Sequence, residues 1–322
     1  MQVIQGASPF PVGLRGAVLA IGNFDGVHRG HQELLAEAQR TAKQIGAPVG
    51  VMVFEPHPRA YFRPDLAHFR LTTQQRQMQL FAASGLDFVV VQTFDATLAK
   101  LSAEAFIGDI LVARLGVAHV VIGYDFSFGV NRSGTTDAMR NSGTELGFGV
   151  TVVGPVGNGG AVFSSSAVRG LLAQGDVAGA NFALGHRWRV SGTVIGGAKR
   201  GTGLGFPTAN VAMPAGTRLG HGIYAAWVYV GPDRYAAAAY LGTRPQFDNG
   251  APILEVFLLD FDGNLYDKEI SVAFVDFLRG DGAFEGIEAL KAQMERDCAR
   301  AASILTAVER HDPLKDFPLY AA

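Results

Sequence analysis

Cysteine is almost missing from this chain: Cys298 stands alone among 322 residues, so no intramolecular disulfide can form. It lies in a helical pattern near the end, with no partner at metal-ligand spacing, and reads as an inert thiol. Excess charge of either sign is missing as well, because 27 Lys and Arg meet 29 Asp and Glu and leave a net charge of -2. Without a basic field or a run of like charges nothing grips a nucleic-acid backbone, and small molecules are the expected partners. No apolar run reaches the roughly 18 residues that argue a membrane span. Residues 1–16 also lack the basic stretch, apolar core and small-residue cleavage site of a secretory leader. A cytoplasmic location with no membrane partner is therefore expected. Low-complexity linkers and internal repeats are lacking too. What the chain does have is length: 322 residues are long for one core and comfortable for two, since domains commonly hold about 100 to 200.

Apolar runs at 17–21, 49–54, 88–91, 119–123 and 149–153 read as strands, with helical patterns between them at 30–45, 73–84, 103–115 and 136–146. Strands alternating with helices predict a parallel sheet whose ligands bind at the carboxyl ends of the strands. Past residue 185 the pattern changes to short strands without helices between them, at 189–195, 222–230, 235–241, 253–259 and 269–277. Turn signals at Gly231-Pro232 and Asp262-Gly263 predict an antiparallel β-barrel, followed by an amphipathic helix over 284–308. The expected division is a parallel α/β domain at 1–185 and a barrel domain at 186–322. Asp260, Asp262 and Asn264 have calcium-loop spacing, but Leu265 stands where such a loop needs glycine, so a hairpin is expected there.

The string Ile21-Gly-Asn-Phe-Asp-Gly-Val-His-Arg-Gly-His31 follows the first strand and puts two histidines three apart at a helix start. Residues i and i+3 are neighbours on a helix, and its free amides favour anions, so His28 and His31 can face one phosphate-bearing ligand. A turn histidine beside a surface histidine gives the same spacing, and Asn23 and Asp25 can simply shape the turn. Two further candidates lie downstream. One is Gly205-Phe-Pro-Thr-Ala-Asn210, preceded by a glycine-rich run from Gly196 that is neither a P-loop nor a dinucleotide fingerprint. The other is Glu255, set inside the apolar run 253–259. Their bland alternatives are a strand starting at Pro207-Thr208 and an exposed glutamate on an edge strand.

The first string resembles the HxGH signature of the nucleotidyltransferase superfamily and, in full, the bacterial bifunctional riboflavin kinase/FAD synthetase family. Gly205-Phe-Pro-Thr-Ala-Asn210 matches that family's riboflavin kinase signature, and Leu254-Glu-Val-Phe-Leu-Leu-Asp260 resembles its catalytic-glutamate strand. The three motifs stand in the family's order, and the resemblance covers nearly the whole chain. It implies a nucleotidyltransferase-type FMN adenylyltransferase domain at 1–185 and a riboflavin kinase barrel at 186–322. Riboflavin and ATP then give FMN and ADP in the barrel, FMN and ATP give FAD and pyrophosphate in the first domain, and Mg²⁺ serves both steps.

For the first domain the resemblance implies that His28 and His31 act on the triphosphate, with Asn23 and Asp25 shaping the entrance. Ser164, Ser165 and Arg169 correspond to a phosphate-binding segment, in which Ser166 replaces the usual threonine and Ala167 a frequent arginine. Pro56, Pro58 and Phe62, with Asp125 and Phe128 further on, correspond to segments lining the flavin site, although Phe126 or Phe128 is expected in the core. For the barrel it implies that the glycine-rich run, with Lys199 and Gly205, covers ATP while Thr208 and Asn210 hold magnesium and phosphate oxygens. Arg244 is a flavin or phosphate contact. Glu255 takes the proton of the ribityl 5′-hydroxyl as it attacks the γ-phosphorus. Phe257 and Tyr240 stand where relatives often have histidine and asparagine. A flavin-binding regulator without catalysis and a nucleotidyltransferase with another acceptor are the rival readings. The phosphate motifs and the base speak against the first, and the downstream Pro-Thr-Ala-Asn motif against the second.

Overall fold

The computed structural model describes residues 1–6, 8–196, 206–243, 252–312 and 314. Internal contacts divide it into two units, one made of Met1–His68 and Thr73–Ser164, the other of Phe69–Thr72 and the chain from Ser165 onward.

The first unit holds β1 (Gln2–Gln5), β2 (Val18–Ile21), β3 (Val49–Glu55), β4 (Phe88–Thr93), β5 (His119–Gly123) and β6 (Gly149–Val153) in the spatial order β1-β4-β3-β2-β5-β6. Every neighbouring pair is parallel. All four residues of β2 are buried, as expected of a strand covered by helices on both faces. Helix Arg29–Ile45 buries Leu34, Leu35, Ala38 and Ala42 along one stripe and ends at Gly46, whose φ of 66° suits glycine. Because β3 and β4 lie on one side of β2 and β5 and β6 on the other, the strand order reverses at β2. The crevice outside the carboxyl ends of β2 and β5 is thus the switch point where open parallel sheets bind ligands. A small hairpin, β7 (Gly157–Asn158) and β8 (Ala161–Val162), completes the unit.

Two elements here differ from the sequence reading. Strand β1 was not expected, because only Ile4 of its four residues is buried and an edge strand that short carries no pattern. The helix expected over 103–115 is an α-turn, Ala103–Ala105, continued by a π-helix, Phe106–Leu115. Apolar residues on one face announce a helix but not its width. Arg15 satisfies the end of that helix by donating to the carbonyls of Arg114 at 2.9 Å and Ala113 at 3.2 Å.

The second unit is a closed antiparallel barrel of β9 (Arg189–Ile195), β10 (Ala209–Ala212), β11 (Gly222–Val230), β12 (Asp233–Thr243), β13 (Pro252–Leu258) and β14 (Glu269–Arg279), in the order β10-β13-β12-β11-β14-β9. Closure comes from β9 pairing with β10, which continues Pro207-Thr208 as the strand that the sequence held open as an alternative there. Gly231-Pro232 turns the β11–β12 hairpin as expected, with Val230 opposite Asp233. The hairpin expected at Asp262-Gly263 does not form. β13 pairs with β10 and β12, and β14 with β11 and β9, so the chain crosses between non-neighbours there. Asp260 and Asp267, at φ 54° and 62°, bend that crossing.

Along β13 the side chains alternate: Leu254, Val256 and Leu258 are buried, while Ile253, Glu255 and Phe257 are half-buried on the opposite face. Helix Ile287–Arg310 lays Ala301 and Leu305 on Ile223, Ala225, Trp227 and Val275. It is tied to β14 by Arg279, which donates twice to Asp297 from Nε at 3.1 Å and once from Nη2 at 2.8 Å. Helices Ser165–Ala173 and Val177–Leu184 also belong to this unit. The Asn181 amide donates to Phe274 O and accepts from Trp188 N, both at 2.8 Å.

Candidate active sites

In the first unit the turn after β2 delivers both histidines. His28 is the N-cap of helix Arg29–Ile45, its Nδ1 accepting from the His31 amide at 3.4 Å, which places the proton of the neutral ring on Nε2. The two rings stack with centroids 3.6 Å apart. His28 is 6% exposed, and His31 Nδ1 is buried without a hydrogen-bond partner among the described residues. Burial first, and the neighbouring His28 second, hold His31 well below the ordinary histidine value of 6.5. Gly30 between them is constrained by space: a Cβ there would lie 3.2 Å from the His28 ring and from the Phe163 carbonyl. Asp25 is buried in the turn and Asn23 exposed.

The turn itself is strained. Phe24 and Val27 have φ of 51° and 42°, a left-handed conformation disfavoured for bulky and β-branched residues, and both are fully buried. Gln77, from helix Gln74–Ala83, donates from Nε2 to the carbonyls of Asn23 at 2.9 Å and Phe24 at 3.0 Å. Sequence reasoning missed Gln77, for nothing in a helical pattern marks one polar residue as inward-facing.

After β3, Pro56 is exposed, Pro58 half-buried and Phe62 60% exposed. Phe62 packs edge-on against Phe94 at 5.6 Å, and Tyr61 meets the same ring at 5.3 Å. The aromatic contacts continue inward through Phe54 and Phe106 to Phe128. Phe128 is a core residue at 7% exposure, so it backs this wall from behind, and Phe126 stacks on it. Asp125 lies exposed after β5. Tyr61 and Phe94 were not singled out from sequence, since isolated aromatics beside strands usually belong to the core.

Ser164 ends the first unit and Ser165 opens the second. Arg169, one turn into its helix, donates from Nε to Phe69 O at 2.7 Å, while the Trp188 indole donates to Leu71 O at 3.0 Å. Arg169 therefore has a structural partner whatever else it binds.

In the barrel, Asn210 of β10, Glu255 of β13 and Tyr240 of β12 are direct cross-strand partners in one row. Directly opposite residues bring Cβ atoms within about 5.5 Å of one another. Glu255 lies on the face of β13 turned away from Leu254 and Val256, so the row occupies the barrel's outer wall. Asn210 is 6% exposed, Glu255 and Thr208 half-buried. Phe257 packs edge-on against Phe206 at 5.1 Å. Lys199, Gly205 and Arg244 lie outside the described residues.

A pH response follows from the first unit. Burial lowers His119 as it does His31, so below the unfolded value of 6.5 the unfolded chain binds more protons than the folded one. The stability this contributes is complete above that pH and lost as pH falls through it. Calorimetric unfolding between about pH 8 and pH 5 is expected to show the first unit's midpoint dropping on the acid side. His31→Gln should flatten the drop, and an unchanged slope would refute the assignment.

Fold and site together define an enzyme of two nucleotide-handling modules. A family model described as FAD synthetase matches residues 12–167, and one described as riboflavin kinase matches 184–305. A bifunctional riboflavin kinase/FMN adenylyltransferase of Pseudomonas fluorescens is 39% identical over 97% of this chain and 100% of its own length. The enzyme of the same description from Escherichia coli K12 is 40% identical over 88% and 90%. The chain belongs to the bifunctional riboflavin kinase/FMN adenylyltransferase family. A solved structure from Streptococcus pneumoniae, described as a macrolide-efflux protein, superposes with a TM-score of 0.82 at 25% identity, covering 94% of this chain and 99% of that one. Among the described residues no helix is long and apolar enough to cross a membrane.

Proposed function

We propose that the barrel phosphorylates riboflavin with ATP and that the parallel unit then adenylylates the resulting FMN to FAD, releasing pyrophosphate. The observation that carries this reading is the direct register of Asn210 with Glu255, a hard-oxygen donor beside a carboxylate on one wall. In the kinase step Glu255 accepts the proton of the ribityl 5′-hydroxyl as that oxygen attacks the γ-phosphorus. Thr208 and Asn210 offer a hydroxyl and an amide oxygen, ligands of the kind Mg²⁺ takes few of while keeping its waters. Mg²⁺ held there supplies charge neutralisation on the phosphate oxygens. In the adenylyl step an FMN phosphate oxygen attacks the α-phosphorus directly, so the protein's task is positioning and charge stabilisation. His28 and His31 serve the triphosphate, with Asn23 and Asp25 at the entrance and Ser164, Ser165 and Arg169 as further phosphate contacts. Pro56, Pro58, Phe62 and Asp125 meet the flavin, and Phe128 supports them. Lys199, Gly205 and Arg244 complete the kinase site. A cytoplasmic location belongs to the same reading.

Incubating the protein with riboflavin, ATP and Mg²⁺ should yield FMN and then FAD, and chelation should stop both. A fragment of residues 165–322 is expected to form FMN but no FAD. It lacks the Phe69 and Leu71 carbonyls that accept from Arg169 and Trp188, each bond worth about 0.5–1.5 kcal/mol. Its unfolding midpoint should therefore lie below that of the barrel in the full chain. A fragment starting at 186 loses the Asn181 bonds as well and should be weaker still. A folded 165–322 fragment unable to make FMN would refute the assignment of the kinase step to this unit.

A further inference from the structure

The strained turn before His28 is held from outside itself, by side chains of two helices. Gln77 is 2% exposed and spends both amide hydrogens on the Asn23 and Phe24 carbonyls. Gln32, one turn into the helix that His28 caps, donates from Nε2 to the Val27 carbonyl at 2.9 Å. The carbonyls of Asn23, Phe24 and Val27 are thus held by two side-chain amides, and the Val27 backbone amide closes the turn onto Phe24 O at 3.0 Å. The helix bearing Gln77 also bears Phe81, whose ring meets Phe24 edge-on at 5.6 Å, and Phe24 in turn packs on the His31 ring at 5.0 Å. Left-handed Phe24 and Val27 persist only where the surroundings over-determine them.

We propose that Gln77 and Gln32 are positioning residues for adenylyl transfer, whose side-chain amides hold the Asn23–Val27 turn in the conformation that presents His28 and His31 to the nucleotide. The inference rests on the reading of His28 and His31 as the groups that act on the triphosphate. Neither glutamine touches substrate. Their donors act through the backbone: with the carbonyls released, Phe24 and Val27 relax toward ordinary φ, and the histidine pair that follows them shifts. Displacement of a reacting constellation by about 1 Å is enough to cost on the order of 100-fold in rate.

Substitution in the full chain separates donation from packing. Gln77→Met keeps the length and volume of the side chain but donates nothing, whereas Gln77→Lys keeps donors on a straight chain of similar reach at the cost of burying a charge. Packing alone ranks Met above Lys; donation ranks Lys above Met. With FMN supplied, Gln77→Met is expected to lower kcat for FAD formation by about 10- to 100-fold with KM for FMN within about twofold, and Gln77→Lys to recover most of it. Riboflavin phosphorylation, measured on the same molecules, should be unchanged, and an unshifted calorimetric unfolding midpoint of the first unit shows that the unit bearing both glutamines is folded. Gln32→Met, at a half-buried position, should give the same selective loss and stands in if Gln77→Met does not fold. FAD formation that is unaltered in both Met variants, or a Lys variant slower than the Met variant, or a parallel fall in both activities, overturns the proposal. His28→Ala run alongside isolates its foundation: full FAD formation in that variant overturns the histidine reading itself, whatever the glutamines do.

Discussion

FAD formation should fall by about 10² to 10³ in His28→Ala and in His31→Ala, the range seen when one preorganised donor to developing charge is removed, while FMN accumulates at the normal rate. Both rings sit at the switch point of the sheet, stacked at 3.6 Å, with the His28 Nδ1 committed to the His31 amide and so its Nε2 carrying the proton. Alanine at 28 also removes an N-cap, which by itself costs typically about 1 kcal/mol of stability. His28→Asn separates the two effects, since asparagine is a good cap but offers no imidazole. The Asn variant should therefore regain stability without regaining FAD formation. Chromatographic separation of the flavins made from riboflavin and ATP reads both reactions at once. Either alanine variant producing FAD at the normal rate would remove these residues from the adenylyl step.

The second large effect is expected from Glu255→Gln, which keeps volume and polarity and removes the base. Riboflavin should bind, as followed by its fluorescence, while phosphoryl transfer falls by about 10² to 10⁴, the usual share of general-base catalysis. FAD formation from added FMN should be untouched, because its proposed groups lie in the other unit. The alternation along β13 makes the substitution clean: Glu255 shares its face with Ile253 and Phe257 and not with the buried Leu254 and Val256. Full kinase activity in the variant would show that the proton leaves by another route.

Much of this was legible in the chain. The strands at 119–123, 149–153, 189–195 and 222–230 have the expected limits, because buried runs and turn residues bound them sharply. His28 and His31 were found by spacing and by the string around them. What escaped detection depends on tertiary context. Gln77 lies 54 residues from the turn it holds, and a lone glutamine in an amphipathic helix looks like a surface residue. A strand after Pro207-Thr208 was one of two open readings, but four residues with no period do not announce that β10 closes the barrel. The hairpin expected at Asp262-Gly263 does not form, because a turn signal does not say which strand the chain pairs with next. Tyr240 stood out in the sequence as a departure from relatives, but only the register places it beside Glu255.

The row of Asn210, Glu255 and Tyr240 on the outside of the barrel makes this module a wall and not a vessel. Its interior, filled by residues such as Leu254, Val256 and Leu258, holds the shape, while the chemistry is proposed for the exterior. Substitution at Glu255 can change the chemistry of that wall without disturbing Leu254, Val256 and Leu258 inside. Insertion or deletion cannot, because side chains alternate with a period of two, and a one-residue slip in β13 would turn Glu255 inward and the neighbouring leucine and valine out. The spacing of residues along β13 is therefore as binding a constraint on this wall as the identity of Glu255 itself.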